Sequence, residues 1–249
     1  ITQLQTKTAR PIIRFTEAIQ KICMIVVSWA MLLVPYAVFG LMAALLSRIG
    51  LDIFIGLGYY MLVILLGLFI LLIFYMVLLL VIGKNPLTFL KAIREPQLLA
   101  FSTSSSAAVM PISMKTADEK LGVSSNISDF VIPIGATINM DGTAMSQCAT
   151  TLFMAQAYGM ELSIVNLLLL TLTVVGASIG TPAIPGGGII ILASVLQSVG
   201  IPVGGIIVIV GLDRILGMFK TAVNVTGDLT ACVIFDKFFG TGLKKKAVE

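Results

Sequence analysis

Charge is absent from long tracts of this 249-residue chain, and those tracts outline its elements. One apolar run covers residues 22–46, and a second lies between Asp52 and Lys84, with 31 uncharged positions at 53–83. Each exceeds the roughly 20 residues that a helix needs to cross a bilayer. At about 1.5 Å of rise per residue the second reaches about 46 Å, which predicts a strongly tilted helix. Neither run carries groups to which chemistry can be assigned. Beyond Lys84 the pattern changes. Short apolar arms at 98–101 and 107–114 flank Ser102-Thr103-Ser104-Ser105-Ser106. Residues 130–158 are long enough to span but are interrupted by Asn139-Met140-Asp141-Gly142-Thr143. Two more arms, 164–178 and 189–199, flank a tip running from Ile179-Gly180-Thr181-Pro182 through Ala183-Ile184-Pro185 to Gly186-Gly187-Gly188. The final run, 206–235, is interrupted in turn by Asn224-Val225-Thr226-Gly227-Asp228.

Arms this short cannot span, and a polar apex would be costly against lipid. Each pair therefore predicts a re-entrant helical hairpin whose tip is buried in protein or lines a cavity. A hairpin followed by a broken helix with Asn-x-x-Gly occurs twice, as hairpin 97–122, broken helix 126–159, hairpin 162–202 and broken helix 204–240. Interrupted segments in corresponding halves point to a transporter site near the membrane midplane. The fold class expected is an all-α membrane protein, with residues 51–84 as a long tilted helix and 85–249 as one core.

Composition agrees with the pattern. The chain is 58% hydrophobic and 11% charged, with mean hydropathy +1.07. Soluble domains are about 45–50% apolar and about 25% charged. The absence of histidine excludes histidine bases and histidine-ligated metals. Cys23, Cys148 and Cys232 have no CxxC spacing and read as small apolar side chains. The excess of basic residues, net +4, is a topology signal rather than a nucleic-acid footprint. If both hairpins return to the side they entered, one face receives Lys7, Arg10, Arg14, Lys21, Lys84, Lys91, Arg94, Lys115, Lys120, Lys237, Lys244, Lys245 and Lys246. The other receives only Arg48, with Arg214 and Lys220 inside the last helix. The positive-inside rule makes the rich face cytoplasmic, and the C-terminus with it. The start at Ile1, without initiator methionine or signal peptide, suggests an excerpt of a longer protein.

Four ionisable residues fall inside apolar tracts: Asp141, Asp213, Lys220 and Asp228. Each needs a partner or a ligand there. Asp213, Lys220, Asn224 and Asp228 fit one helical stripe facing a bundle interior, and Lys220 has the plainer option of pairing with an aspartate. Asp141, Asp228, Asn139, Asn224 and the backbone carbonyls near Gly142 and Gly227 form an all-oxygen set suited to an alkali cation. The hydroxyls of Ser104–Ser106 and the N–H groups of half-helix ends suit a carboxylate. Gly186–Gly188 would let the second tip gate. No reason exists for the two aspartates to share a proton, as a protease dyad would.

The runs Ser104-Ser105-Ser106-Ala107-Ala108-Val109-Met110-Pro111, Gly135-Ala136-Thr137-Ile138-Asn139-Met140-Asp141-Gly142-Thr143-Ala144 and Asn224-Val225-Thr226-Gly227-Asp228, with the Gly/Pro tip, resemble the dicarboxylate/amino acid:cation symporter family. These are prokaryotic homologues of glutamate transporters, and the likeness starts at the family's fifth transmembrane helix. The resemblance implies no enzyme, but a Na⁺- or H⁺-coupled symporter of the cell membrane. It also implies an inverted repeat, and a homotrimer in which residues 1–50 serve the scaffold while the core moves as an elevator. By similarity, cation sites use Gly135, Asn139, Asn224 and Asp228; the carbonyls of Thr137, Ser178, Ile179 and Thr181; and Asn139, Met140 and Asp141. Substrate would touch Ser105, Ser106, Met140, Thr143, Ala183, Ile184, Gly188, Lys220, Thr221 and Asn224. The chain departs from the acidic amino acid pattern twice, with Gly217 in place of an amine-binding aspartate and Lys220 in place of an arginine. Both changes favour a dicarboxylate without an amine. A neutral amino acid carrier, an anion channel and a transport-deficient paralogue are the alternatives.

Overall fold

A computed structural model describes residues 6–49 and 52–240. The chain divides into two compact units, 1–50 and 51–249. The first contains helix α1, Thr6–Ile49. At 44 residues it extends well beyond the apolar run 22–46 at its N-terminal side, because polar residues such as Thr8, Arg10 and Arg14 are themselves compatible with helix.

The second unit begins with α2, Asp52–Val81. Its residues 55–81 form the one helix, among the described residues, that meets the length and apolarity needed to cross a membrane. Leu57, Tyr60, Ile64, Leu68, Tyr75 and Leu79 recur at helical spacing and are buried. The opposite flank is equally apolar, yet Ile55, Leu62, Leu66, Phe69, Ile73 and Leu80 stand exposed. A helix apolar on all sides suits lipid on one flank and protein on the other.

Asn85 ends the following turn by accepting from the N–H groups of Leu87 and Thr88, and Pro86 opens α3, Pro86–Ala92. Helices α4, Arg94–Thr103, and α5, Ser106–Glu119, are joined through Ser104-Ser105 and pack on each other. Both arms are longer than their apolar runs, because polar residues such as Arg94, Lys115 and Glu119 extend the helices. Helices α6, Ser125–Ile138, and α7, Asp141–Ala157, are separated by Asn139-Met140 alone. Helices α8, Ile164–Ile179, and α9, Gly187–Ser198, also pack on each other; Gly186 turns the chain between them at φ 78°. A short 3₁₀ turn, Val203–Gly205, leads to α10, Ile206–Phe239. No strand occurs among the described residues.

One expected break is absent. Helix α10 runs unbroken through Asn224–Asp228, so the second interrupted helix is corrected to a continuous one. A glycine costs an exposed helix only about 1 kcal/mol relative to alanine. Residues 223–230 are all buried, in the middle of the element that packs on α2, α4, α5, α6, α7 and α9. Thr226 and Thr230 also return their hydroxyls to carbonyls one turn back, at 2.7 and 2.8 Å, which keeps their own polar groups inside the helix. Burial and packing outweigh the propensity.

Helix α10 joins two apolar cores. One gathers Ile64, Leu68, Met154, Leu192, Leu216 and Val223, and the other Leu79, Ile93, Val109, Ile132, Val225 and Leu229. One end of the unit is tied by polar links. Lys237 Nζ donates to the carbonyl of Ile82 at 2.6 Å, Asp236 accepts from the N–H and hydroxyl of Ser124, and Lys120 pairs with Glu95 at 2.9 Å. Ser128 donates to Asp118 beside them. These links gather the ends of α2, α5 and α10 and the starts of α4 and α6, with five of the basic residues that the charge count assigns to one face: Lys84, Arg94, Lys115, Lys120 and Lys237.

Candidate functional site

The two hairpin tips meet. Ser105 Oγ donates to the carbonyl of Ala183 at 2.7 Å, and the same oxygen caps α5 by accepting from the N–H of Ala108. Between the tips, the start of α7 and α10 lies a cavity with about 40 Å³ open to the centres of water molecules. Ser106, Met140, Thr143, Ala183, Ile184, Gly188, Lys220, Thr221 and Asn224 line it, together with Ser104, Thr181, Asp213 and Gly217. Of the ten residues expected to touch substrate, only Ser105 stands behind the wall, where it bonds tip to tip.

The cavity has a defined polarity. The first turns of α5 and α9 open on it at Ser106 and Gly188, and N-terminal turns carry unsatisfied N–H groups that favour an anion. Lys220 is buried and points its Nζ at Asp213 Oδ1, 2.6 Å away on the same helix. The plainer option read from the sequence, a lysine satisfied by an aspartate, is therefore met within the fold. A substrate carboxylate reaching Lys220 would have to share it with Asp213. Gly217 adds no side chain, and a Cβ there would have Ser104 Oγ as its nearest neighbour at 4.0 Å. Gln147 holds the first turn of α9 through a 3.2 Å bond to the carbonyl of Gly188.

Next to the cavity lies a second polar cluster. Asn139 Nδ2 donates to Asp228 Oδ1 at 2.9 Å and lies 3.5 Å from the carbonyl of Asn224. Gly135 makes room for that carboxylate: a Cβ on it would stand 2.5 Å from Asp228 Oδ1. The first expected cation set, Gly135, Asn139, Asn224 and Asp228, is thus gathered across α6, the α6–α7 break and α10. Its hard oxygen donors, with one carboxylate, suit a monovalent cation in composition. Asn139, Met140 and Asp141 of another set adjoin at the break itself. The set formed by Thr137, Ser178, Ile179 and Thr181 is less concentrated. Helices α6 and α8 touch, but Thr137 bonds back to Pro133 and Ile134 and Ser178 to Val175.

Asn224 links cavity and cluster. Its Oδ1 accepts from the N–H of Gly142 at 2.7 Å, and its Nδ2 donates to Thr143 Oγ1 at 3.2 Å and Met140 Sδ at 3.4 Å. One side chain therefore touches the backbone of the break and the wall of the cavity. Gly142 permits this approach, since a Cβ there would lie 3.0 Å from both Asn224 Oδ1 and the carbonyl of Lys220.

Helix α2, to which the sequence reading assigned no chemistry, supplies two hydroxyls. Tyr75 donates to Asp141 Oδ2 at 2.6 Å, and Tyr60 shares a 2.9 Å hydrogen bond with Thr150 Oγ1. Gly227 is the seat for this contact: a Cβ on it would stand 2.7 Å from both Tyr75 Oη and Asn139 Nδ2. The available signal was a phenol in an apolar span, because such a hydroxyl seeks a partner when buried. That signal was ambiguous. Tyr59 sits beside Tyr60 in the sequence and is exposed.

An apolar helical assembly that buries a carboxylate, amides and a lysine around a small cavity between helix ends has the features of a helical membrane carrier. The sequence comparisons name the family. The model of the sodium:dicarboxylate symporter family matches residues 1–238, and the chain belongs to that family. It is 38% identical over 242 residues to "Neutral amino acid transporter B(0)" of Rattus norvegicus, covering 96% of this chain and 42% of that one. It is 36% identical over 232 residues to "Proton/sodium-glutamate symport protein" of Bacillus subtilis (strain 168), covering 93% and 54%. With "Excitatory amino acid transporter 3" of Mus musculus it shares 35% over 238 residues, covering 94% and 44%. The chain thus spans about half the length of these relatives, all of them named as transporters or symporters.

Proposed function

We propose that this chain is the substrate- and cation-binding portion of a secondary-active symporter that couples Na⁺ or H⁺ to uptake of a dicarboxylate or acidic amino acid. The observation that carries the reading is the junction at Asn224. It joins a cavity on which two helix N-termini open, with Lys220 shared with Asp213 in its wall, to the cluster of Asn139 and Asp228. A cation that neutralises and orders this cluster would also fix Asn224 and Met140, and hence the cavity wall. Substrate would reciprocally stabilise the cation, which is what linkage demands of coupled binding. The names of the family and of the bacterial relative, sodium:dicarboxylate and proton/sodium-glutamate, support this pairing.

In this reading the α4–α5 and α8–α9 pairs are re-entrant hairpins in an inverted repeat. Residues 85–249 form the moving core of an elevator within a homotrimer, residues 51–84 the tilted helix, and residues 1–50 the scaffold. The end gathered by Lys237, Lys120 and Lys84 faces the cytoplasm, and with it the C-terminus. Helix α1 supports the scaffold role by its length alone.

The test is uptake of labelled succinate, malate, aspartate and glutamate into proteoliposomes holding the complete gene product, with and without an inward Na⁺ or H⁺ gradient. Accumulation driven by one gradient is expected. Failure of every acidic substrate to accumulate would remove the reading.

A second reading, a neutral amino acid carrier, has one observation in its favour. Asp213 already neutralises Lys220 at 2.6 Å, so the pair presents no net charge. Gradient-driven uptake of alanine or serine in the same vesicles, without uptake of any dicarboxylate, would establish it instead.

A further inference from the structure

Helices α3 and α4 present a face that no part of their unit covers. The N–H of Ile93 bonds to the carbonyl of Phe89 and that of Gln97 to the carbonyl of Ile93, so the helical phase carries through the junction between them. Phe89, Ile93, Pro96 and Ala100 recur on the inner side and are buried. Leu87, Lys91, Arg94, Leu98 and Phe101 follow one another by four and three residues on the outer side, and all are exposed. Lys84, three residues before Leu87, is exposed and extends the same stripe.

The stripe changes character along its length. Its first half holds three cations, Lys84, Lys91 and Arg94, around Leu87, which is 70% exposed. Its second half, one and two turns nearer the hairpin tip, is Leu98 and Phe101 alone, with Leu98 58% exposed. Among the described residues the three basic side chains have no ion-pair partner. The acids of that end are engaged elsewhere: Glu95 with Lys120, Glu119 with Lys115, Asp236 with Ser124 and Asp118 with Ser128. Cations at one end of an apolar strip complement a molecule that joins an anionic head to hydrocarbon. A water-soluble anion would satisfy the cations but leave Leu98 and Phe101 uncovered.

Resting on the reading of α4–α5 as a re-entrant hairpin, we propose that this face is a binding site for an anionic phospholipid. The phosphate lies among Lys84, Lys91 and Arg94, where the guanidinium offers its paired donors to two phosphate oxygens. An acyl chain follows Leu98 and Phe101 toward the tip. The bound lipid holds the base of the hairpin at the level of the headgroups.

The experiment is photo-crosslinking of the complete gene product in phosphatidylcholine nanodiscs. The probe is a trace of phosphatidylglycerol or of phosphatidylcholine with a photoreactive group in its acyl chain, and labelled peptides are mapped. Phosphatidylglycerol should label residues 87–101 at least about fivefold more than phosphatidylcholine, the factor that one basic residue near an anionic headgroup supplies. Replacing Lys84, Lys91 and Arg94 together by Gln should bring that ratio to about one. Lys244→Gln with Lys245→Gln and Lys246→Gln removes the same charge from the C-terminal tail and should leave the ratio unchanged. Both variants should keep the unfolding temperature of the unaltered protein in pure phosphatidylcholine. Equal labelling by the two probes would keep the arm beside lipid, as the re-entrant reading requires, and overturn the headgroup site. An equal loss of the ratio in the tail variant would overturn it too, as an effect of net charge. Labelling of residues 87–101 by neither probe would show the face covered by protein or lying outside the membrane, and would overturn it as well. Gradient-driven uptake tests the symporter reading independently of all three outcomes.

Discussion

Asn139-Met140-Asp141-Gly142 and Asn224-Val225-Thr226-Gly227 have the same Asn-x-x-Gly spacing and lie against each other, but their backbones differ. The first interrupts the helical ladder: Asn139 and Met140 leave helical geometry, and the N–H of Gly142 is given to Asn224 Oδ1. The second keeps every residue helical. Their glycines nevertheless do the same work, which is to admit a polar neighbour where a Cβ would collide. Spacing alone therefore does not distinguish a helix break from a close helix approach. The surroundings do. One stretch stands at a junction of two helices with a side chain waiting for its N–H, and the other lies in the most buried part of the longest helix of its unit.

The sharpest way to separate the two stretches is through their carboxylates. Asp228 is 2% exposed and sits in the gathered set, whereas Asp141 is partly exposed and bonded to Tyr75. Asp228→Asn should weaken Na⁺ binding by about 100-fold, roughly the 3 kcal/mol upper range of a charged hydrogen bond, with Asp141→Asn smaller. Sodium-dependent thermal stabilisation measures both, and equal losses would erase the distinction.

A somewhat smaller effect is expected of the glycines. Gly227→Ala should lower stability by about 2 kcal/mol, because its Cβ would press on Tyr75 and Asn139. If Gly227 only weakened the helix, alanine would stabilise it by up to about 1 kcal/mol. The sign of the change in unfolding temperature decides. Gly142→Ala, with contacts of 3.0 Å rather than 2.7 Å, should lose less.

Tyr75→Phe deletes only the hydroxyl on Asp141. It should weaken Na⁺ binding by about tenfold, on the scale of 1.5 kcal/mol for a hydrogen bond to a charged group. Isothermal titration at fixed substrate reads this, and an unchanged affinity would return α2 to a purely packing role. The least effect is expected at the tied end. Lys120 holds the Glu95 carboxyl below the usual carboxylate range through its hydrogen bond and charge. A lowered carboxylate contributes stability above its unfolded pKa and loses it as pH falls through the folded one. Both groups are well exposed, so Lys120→Gln should leave the unfolding midpoint unchanged at neutral and mildly acid pH.

Much of this molecule was legible before any coordinate. Long uncharged tracts must be helical in lipid, because only helices and closed barrels satisfy their backbone there. Ser, Gly and Pro at tract interruptions marked the two tips, and scarcity of charge singled out Asp141, Asp213, Lys220 and Asp228. What linear order left open was which partner each group has. Lys220 could have faced an anion alone, but its seven-residue spacing from Asp213 on an unbroken helix makes the ion pair. Tyr75 lies 66 residues from Asp141, in a run apolar on every side, so no periodicity marked its inward face. The three tip serines look alike in sequence. Backbone conformation gives Ser105 to the opposite tip and leaves Ser104 facing the cavity. Local solvation physics sets which segments are helical and where they stop. The pairing of buried polar groups is decided only when distant segments compete for the same donors and acceptors in three dimensions.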